Sequence, residues 1–343
     1  MSASIEDVAK RAGVSIATVS RSLRGLPDVA ASTRDRVLTA ARELDYVASP
    51  FAARLASGRS STLGVVVPFI NRWFFGEVLG AVETVLSGAG YDLLLHNLAD
   101  SEGRDRFFSV LPVRKRVDAV LVVSLALSDY EVEALTSLEL PVGVLGVKHP
   151  GLFSVRIDDM VAARSAVDHL LSLGHRRIAL IGGDTDDPMR FTPPHHRGTG
   201  YRDALRDAGI AADPTLECLG YFTVAGGEAA MLQLLALEEL PTAVFAESDE
   251  MAYGAMRAIR RAGLQVPQDI AVVGFDDHAT AGLLDLTTVR QPVAEQGALL
   301  AQGLLASLTH DTEPSDVVLD TELVVRGSTV PAASVYADAD SRD

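Results

Sequence analysis

The sequence is poor in cysteine: Cys218 is the only one among 343 residues. A single thiol excludes an intrachain disulfide framework and a zinc site built from several thiolates. We expect Cys218 to act as a small buried hydrophobic residue, as free cysteine usually does. The histidines, including the adjacent His195 and His196, lack the spacing of a metal site. The sequence therefore predicts no metal and no cofactor.

Long hydrophobic runs are also absent. No run approaches the roughly 20 apolar residues that a membrane-spanning helix needs, and Pro68 interrupts the run that begins at Leu63. The first residues lack the basic start and apolar stretch of a secretory signal. The sequence therefore predicts a cytoplasmic protein. Its length and its 48% content of hydrophobic residues predict two or three domains with buried cores.

Motifs that bind nucleotides or build a nucleophile are missing as well. No G-x-G-x-x-G follows an apolar run, and neither G-x-x-x-x-G-K-[ST] nor G-x-S-x-G occurs. Asp276 and Asp277 could imitate a catalytic pair, but adjacent residues at the end of a strand usually diverge. We therefore expect a protein that is not an enzyme.

Negative charge is concentrated in the part of the chain that follows residue 60. The formal net charge is −16, yet residues 1–60 contain nine Lys or Arg against six Asp or Glu. The head of the chain is thus weakly basic and the remainder strongly acidic. This distribution indicates that the head alone meets phosphate.

Three short helical patterns occupy the head. Ser4 is placed to cap the first helix, Asp7 follows three residues later, and Gly13 ends it. Ser15 caps a second helix after a very short turn, and a third helix runs from about Ser32 to Leu44. Two short helices joined in this way are typical of a helix-turn-helix.

The second helix has an apolar and a polar face. Val19 and Leu23 lie four residues apart and are expected to pack against the first helix. The opposite face can enter a major groove, where Arg21 can donate two hydrogen bonds to a guanine. The same pattern fits a generic helical hairpin with a solvated face. The predicted contacts of this region with DNA are Ser4, Ser15, Ile16, Ala17, Thr18, Ser20, Arg21 and Arg24.

From residue 62 onward, short apolar runs alternate with helical patterns. The runs begin near residues 63, 91, 117, 141, 177, 241 and 270, and helical spacing occurs at 76–89, 161–173 and 251–262. Short, wholly apolar runs are typical of parallel strands that are covered on both faces. Repetition of this unit predicts two similar subdomains with a ligand cleft where the carboxyl ends of the strands converge.

Several long strings resemble the LacI/GalR family of repressors. These include IEDVAKRAGVSIATVSRSLRG at residue 5, SPFAARLASGRSSTLGVVVP at 49, LGHRRIALIGG at 173, RGTGYRDALRDAG at 197, PTAVFAESDEMAYGA at 241, VPQDIAVVGFDD at 266 and TTVRQPV at 287. They occur in family order and cover residues 4 to about 330. The resemblance implies a homodimer whose heads read a pseudo-palindromic operator in double-stranded DNA. It also implies a body that binds a small-molecule effector, usually a sugar.

The implied fold is an all-α helix-turn-helix head and an α/β periplasmic-binding-protein-like body of two doubly wound subdomains. By resemblance, the linker forms a hinge helix on DNA and Leu55 inserts at a base step in the minor groove. Arg24 stands where the family often has Asn, which predicts an extra phosphate contact. The expected boundaries are 1–48 for the head, 49–61 for the hinge, 62–330 for the body and 331–343 for a disordered tail. Within the body, the N-subdomain covers about 62–160 and 292–320, and the C-subdomain about 161–290 and 321–330.

The resemblance also assigns an effector site. A ring of the WFF stretch is expected to stack on a sugar face, Arg197 to grip paired oxygens, and Asp276 to accept hydrogen bonds from hydroxyl groups. Asp249 either caps a helix or contacts the ligand, and a core role for the aromatic residues also stays open. The expected contacts are Trp73, Phe74, Phe75, Arg197, Phe222, Ser248, Asp249, Asp276 and Gln291.

Two positions depart from the family pattern. Ser248 stands where Asn is usual, and Gly146 where many members have Asp. Shorter groups at both positions suggest room for a larger ligand, such as an oligosaccharide. The expected mechanism is a ligand-driven population shift between two hinge states. Whether the ligand releases or recruits DNA stays open, as do two rivals on the same fold, a sugar-binding transport protein and an enzyme.

Overall fold

The computed structural model describes residues 3–23, 28–46, 59–309 and 314–329. The chain divides into two compact units, Met1–Ser61 and Thr62–Asp343. The predicted contacts Arg24 and Leu55 lie outside the described residues, as do most of the predicted hinge and the predicted tail.

The first unit contains three helices around a small core. They are α1 (Ile5–Ala12), α2 (Ile16–Leu23) and α3 (Ala31–Glu43). Ser4 and Asp7 form a capping box, in which each side chain accepts a hydrogen bond from the other residue's backbone N–H. Gly13 adopts a left-handed φ of 66° and ends α1. The buried core includes Val8, Ala12, Val19, Val37 and Ala41.

The second unit consists of two six-stranded sheets covered by helices. In chain order its elements are β1 (Thr62–Val67), α4 (Trp73–Gly88), β2 (Asp92–Asn97), α5 (Ser101–Val110), β3 (Ala119–Val123), α6 (Asp129–Thr136), β4 (Val142–Leu145), β5 (Phe153–Ile157), α7 (Asp159–Ser172), β6 (Ile178–Gly182), α8 (Pro193–Asp207), β7 (Glu217–Leu219), α9 (Val224–Leu234), β8 (Ala243–Ala246), α10 (Asp249–Arg261), β9 (Ala271–Asp276), β10 (Thr287–Arg290), α11 (Val293–Thr309), β11 (Val317–Leu319) and β12 (Glu322–Val324).

The two sheets define two lobes. In the first lobe the strand order is β11-β5-β4-β3-β1-β2, and α4 and α11 pack against each other beside the sheet. In the second lobe it is β12-β10-β9-β8-β6-β7, and α7 packs on α8 and α9 on α10. The paired strands run parallel, apart from the antiparallel pair β10 and β12. Each sheet has a hydrophobic core on both faces.

The predicted apolar runs are all strands of these sheets. β1 and β3, for example, are buried along their whole length, as parallel strands covered on both faces must be. The strands that the sequence did not reveal are β5, β7, β10, β11 and β12, which have three to five residues and, apart from β11, mixed polarity. Cys218 lies half-buried in β7 and packs against the core of the second lobe.

The chain passes between the lobes after β5, after β10 and after β11. The first two passages bring Asp159 and Gln291 to the boundary between the lobes. Because most strands in both sheets are parallel, their carboxyl ends gather at the same boundary. None of the helices in the described ranges is both long and apolar enough to cross a membrane.

Two glycines allow α9 and α10 to pack unusually closely. A Cβ atom at Gly227 would lie 2.2 Å from the carbonyl oxygen of Met251, and one at Gly254 would lie 2.0 Å from that of Val224. Backbone atoms cannot move aside as a flexible side chain can. These glycines therefore fix the distance between the two helices.

We predict that Gly227→Ala destabilises the body by roughly 1–3 kcal/mol, because the added methyl group overpacks a helix crossing. The matched control is Gly80→Ala in α4, where an added Cβ would meet nothing within 4 Å. That substitution should stabilise the protein by roughly 0.5–1 kcal/mol, the usual gain from replacing glycine in a helix. Urea unfolding measures both changes, and equal effects would show that the helix crossing is not tight.

Glu247 is a carboxyl group buried at the end of β8. Its Oε2 accepts a hydrogen bond from the backbone N–H of Gly183 at 2.9 Å. A Cβ atom at Gly182 would lie 3.0 Å from Oε2 of Glu247, so the glycine leaves room for the carboxyl group. Burial raises the pKa of Glu247 to about 8, although the Gly183 hydrogen bond and nearby Arg197 oppose the shift. The side chain is therefore largely protonated at neutral pH in the folded protein.

Glu247 makes the stability depend on pH. Its folded pKa exceeds its unfolded value, so folding binds a proton, and the associated stability falls as pH rises from about 4.5 through about 8. We predict that Glu247→Gln stabilises the protein by roughly 1–3 kcal/mol at about pH 8 and changes little at about pH 5. Urea unfolding at both pH values tests this. The exposed control Glu238→Gln should show no such pH dependence, and a similar response in both variants would contradict the prediction.

Candidate functional site

Helix α2 presents part of its surface to solvent. Ile16 and Ala17 are exposed, with 47% of the surface of Ile16 accessible, and Ser20 and Arg21 are half-buried. Val19 is fully buried and Leu23 packs at the edge of the core, as predicted from their spacing. An exposed apolar side chain in the first turn is suited to contact with a thymine methyl group.

The amino terminus of α2 is ordered by side-chain caps. The hydroxyl of Ser15 accepts a hydrogen bond from the N–H of Thr18 at 3.1 Å and lies 2.9 Å from the Thr18 hydroxyl. Nε of Arg21 lies 3.5 Å from a carboxylate oxygen of Asp28, and both side chains are substantially exposed. Exposed pairs contribute little stability, so this contact can be exchanged for one with DNA at small cost.

A second candidate site is a cavity between the two lobes. Its lining residues come from both lobes and from the passages between them. They are Phe74, Ser124, Gly146, Ile157, Asp159, Phe191, Pro193, Arg197, Phe222, Asp276, Gln291 and Gln296. Five of the effector contacts predicted from the sequence line this cavity. They are Phe74, Arg197, Phe222, Asp276 and Gln291.

Arg197 is the central polar group of the cavity. It is 4% exposed, and its Nε donates to Asp159 at 2.8 Å while Nη1 donates to the carbonyl oxygen of Glu247 at 2.6 Å. The guanidinium also lies over the ring of Phe275, 3.6 Å from its centroid. These partners hold the guanidinium in one orientation beside the cavity.

Asp276 forms the second polar wall. Its Oδ1 accepts a hydrogen bond from Nε2 of Gln291 at 2.6 Å, and Gln296 donates to Oε1 of Gln291 at 3.0 Å. Burial raises the pKa of Asp276 to about 7, with Arg197 and Gln291 opposing the shift. Near neutral pH this carboxyl therefore exists in both forms, and it can donate or accept a hydrogen bond.

Three residues of the cavity lining have unusual backbone conformations. Asp276 has a φ of 114°, and Ser124 and Phe222 also have positive φ values although none of them is glycine. Such conformations cost energy and persist where the surrounding structure enforces them, commonly at functional sites. At Asp276 the strain accompanies a carboxyl group that faces the cavity instead of solvent.

Aromatic rings form the apolar part of the lining. Phe191 lies 5.2 Å from Phe222, edge to face, and 6.1 Å from Phe75. Phe74 contributes the ring from α4. Flat apolar surfaces beside hydrogen-bonding groups are suited to a ligand with hydroxyl groups around an apolar ring face.

Four of the predicted effector contacts lie outside this lining. Phe75 is 1% exposed and belongs to the core of the first lobe, whereas Trp73 contacts His278 of the second lobe at 4.9 Å between ring centroids. Ser248 caps α10 by accepting a hydrogen bond from the N–H of Met251. Asp249 follows the cap instead of providing it.

The buried Asp249 organises the loop after β9. It accepts hydrogen bonds from the Thr288 hydroxyl at 2.6 Å and from the N–H of His278 at 2.7 Å. Asp277, in the same loop, pairs with Arg290 and Arg326. These carboxylates therefore support the wall that Asp276 forms.

Several lining residues were missed from the sequence. Ser124 directly follows the predicted strand β3, and its position at the carboxyl end of that strand could have marked it as a lining residue. Asp159 follows β5, a strand that was not predicted, and Gln296 lies one helical turn beyond the predicted Gln291. Phe191 gave no signal, since it lies in a loop.

The two departures from the family pattern do not enlarge the cavity as expected. Ser248 lies outside the lining, so its short side chain adds no space. At Gly146, whose φ is 77°, an added Cβ would lie 2.9 Å from the Ser124 hydroxyl. The cavity measures only about 40 Å³. Among the described residues, no group of His, Cys, Asp and Glu is arranged to hold a metal ion.

Two protein families match this chain. Residues 4–49 match the bacterial regulatory proteins of the lacI family, and residues 167–329 match a periplasmic binding protein-like domain. The HTH-type transcriptional repressor CytR of Escherichia coli (strain K12) is 37% identical over 333 residues, which cover 95% of this chain and 96% of CytR. The regulator CelR of Thermobifida fusca is 37% identical over 337 residues, 94% of this chain and 97% of its own.

Solved structures agree with these relatives. A lac repressor dimer bound to operator and the anti-inducer ONPF matches with a TM-score of 0.85 and 28% identity, covering 96% of this chain and 99% of its own. A complex of the transcriptional regulator CelR with cellobiose matches with a TM-score of 0.70 and 34% identity, covering 95% and 99%. The relatives CytR and CelR are transcriptional regulators and not enzymes. The resemblance seen in the sequence is therefore confirmed, and this chain belongs to the LacI family.

Proposed function

We propose that this protein represses transcription as a homodimer that binds a pseudo-palindromic operator, and that a small neutral carbohydrate in the cavity controls this binding. The observation that carries the proposal is the exposed surface of α2, where Ile16, Ala17 and Arg21 lie side by side on a capped helix. Because a repressor must have access to its operator DNA, we propose a cytoplasmic location.

The geometry of α2 supports base reading in a major groove. Its first turn presents apolar side chains, and Arg21 lies on the same side with a fork that matches the O6 and N7 atoms of guanine. The caps at Ser4 and Ser15 fix two helix amino termini, which attract phosphate. A homodimer would present two such surfaces, as suits an operator with two half-sites.

The charges of the cavity support a neutral effector. The single cation, Arg197, already pairs with Asp159 at 2.8 Å and lies 3.8 Å from the carboxylate of Asp276. An anionic ligand would approach both acids without finding a free cation. Hydroxyl groups, by contrast, can donate to Asp276 and accept from Gln291 or Gln296.

The size of the cavity supports control by movement of the lobes. Ligand sites for small molecules usually measure roughly 300–1,000 Å³, whereas this cavity measures about 40 Å³. A carbohydrate can enter only if the lobes separate or the lining rearranges. The ligand would therefore select a different arrangement of the lobes, which is the requirement for a population shift. By the same argument, a disaccharide requires a wider opening than a monosaccharide.

A thermal-shift panel followed by a gel-shift assay tests this proposal. The panel compares cellobiose, ribose and glucose 6-phosphate, and we expect a neutral sugar to raise the Tm and the phosphorylated sugar to have no effect. The sugar that binds should then change the affinity of the protein for an operator selected from genomic fragments. A monomer with no preference among fragments at moderate salt would refute the proposal.

We predict that Arg21→Ala abolishes specific operator binding and leaves weak, salt-dependent association with any DNA. A bidentate contact with guanine contributes about 1–3 kcal/mol of discrimination, so the operator affinity should fall roughly tenfold to hundredfold. Fluorescence anisotropy with operator and random duplexes measures both affinities. The control Arg36→Ala alters an exposed arginine of α3, and equal losses on both duplexes for Arg21→Ala would contradict base reading.

We further predict that Asp276→Ala preserves operator affinity and removes the response to the effector. Loss of charge-assisted hydrogen bonds should weaken effector binding by roughly tenfold to hundredfold. Isothermal titration calorimetry measures binding, and a gel shift with and without sugar measures the response. Glu295→Ala, an exposed change at the start of α11, serves as the control. An unchanged response in Asp276→Ala would remove Asp276 from the site.

A further inference from the structure

Residues 184–192, here called the strap, link β6 to α8 in the second lobe but are docked on the first lobe. Met189 is 3% exposed and belongs to a first-lobe core cluster with Phe107 and Leu125. The N–H of Ala126 donates to the carbonyl oxygen of Arg190 at 3.0 Å. Leu125 and Phe191 form an antiparallel bridge beside this bond. The strap is therefore attached to the lobe opposite its own.

A buried ion pair lies directly under the strap. Nε and Nη2 of Arg104 donate to the two carboxylate oxygens of Glu131 at 2.7 and 2.8 Å. The side chains are only 4% and 10% exposed. Nη2 also donates to the carbonyl oxygen of Ala126 at 2.7 Å, and Nη1 donates to that of Met189. One guanidinium thus joins helices α5 and α6 of the first lobe to the strap of the second.

The carboxylate of Glu131 is held in place independently of the strap. It accepts a hydrogen bond from the N–H of Ser128 at 2.7 Å as part of the capping box of α6. Burial pushes the pKa of Glu131 up, but the hydrogen bonds from Arg104 and Ser128 outweigh this and hold it below its usual value. Glu131 therefore stays ionised and keeps the guanidinium aligned.

Two hydrogen bonds close a turn within the strap. The carboxylate and the carbonyl oxygen of Asp187 accept hydrogen bonds from the N–H groups of Met189 and Arg190 at 2.9 and 2.8 Å. A turn closed in this way resists gradual deformation. Separation of the strap from the first lobe must therefore remove Met189 from its pocket and break the bonds to Arg104 and Ala126 together.

The carboxyl-terminal end of the strap forms part of the cavity wall. Phe191 and, just beyond the strap, Pro193 both line the cavity, and Arg197 follows one turn later in α8. Neither Arg104 nor Glu131 lines the cavity. The strap connects them to the cavity wall at Phe191.

We infer that Arg104 and Glu131 form a latch that holds the strap on the first lobe and thereby favours the closed arrangement of the lobes. Arg104 is a positioning residue: it contacts the backbone of the strap and not the effector. The latch gives the closed state an energetic advantage before any ligand binds, so it adjusts the effector concentration to which the protein responds. This consequence for the effector rests on the proposed function, whereas the latch itself does not.

Trp73, the only tryptophan of the chain, reports on closure without any ligand. It lies on α4 of the first lobe, 4.9 Å from the ring of His278 in the second. Separation of the lobes would part these rings and admit water. We expect Arg104→Met to red-shift the emission of Trp73 and to increase its quenching by acrylamide. Loss of the charge-assisted hydrogen bond from Arg104 to the carbonyl oxygen of Met189 should shift the closed-to-open ratio by roughly tenfold or more.

The matched control is Arg164→Met, which breaks an exposed pair with Asp207 inside the second lobe. It should leave the emission and quenching of Trp73 as in the unmodified protein. A lower Tm for Arg104→Met with unchanged Trp73 quenching would show that the pair only stabilises the first lobe, and would overturn the latch. Circular dichroism confirms that each variant is folded.

If Arg104→Met does not fold, Met189→Ala decides the question. It shortens the side chain that anchors the strap and leaves the buried ion pair intact. Increased quenching of Trp73 in this variant supports the latch, and unchanged quenching overturns it. Neither measurement includes DNA or sugar. Failure of both neutral sugars, cellobiose and ribose, to bind would contradict the proposed effector class and leave these outcomes unaffected.

Discussion

The burial of one guanidinium, that of Arg197, brings the start of α7 and the ends of β8 and β9 together beside the cavity. A buried positive charge is tolerated only where acceptors surround it. Here they come from the passage after β5, from the end of β8 and, at 3.8 Å, from the end of β9. The ring of Phe275 covers the remaining side. Elements far apart in the chain must therefore converge on a single point, and the cavity lies beside it.

The same convergence explains the protonation of the site. Asp159, Glu247 and Asp276 gather around one cation, so not all of them can be ionised without cost. Burial raises the pKa of Glu247 to about 8 and that of Asp276 to about 7. The charge of the cavity wall can therefore change near neutral pH while the hydrogen-bond partners of Asp276 stay the same. A polar ligand that supplies hydrogen bonds would replace part of the solvation that these acids have lost.

Much of the fold could be predicted from the sequence, because short, wholly apolar runs that alternate with helical patterns leave few alternatives to buried parallel strands. β5 escaped prediction since Ser154 and Arg156 interrupt its apolar pattern, and Asp159 was missed with it. In the WFF stretch, successive residues of a helix point about 100° apart, so Phe74 faces the cavity while Phe75 enters the core. Sequence alone could not assign these directions. Nor could it show that Ser248, and not Asp249, caps α10, because both residue types cap helices.

Cys218 has a consequence for how the protein responds to its surroundings. Burial in β7 raises the pKa of its thiol, so little of the reactive thiolate exists at neutral pH. Oxidants and alkylating agents attack the thiolate, and they would find a poor target here. Oxidation of Cys218 is therefore not expected to control this regulator.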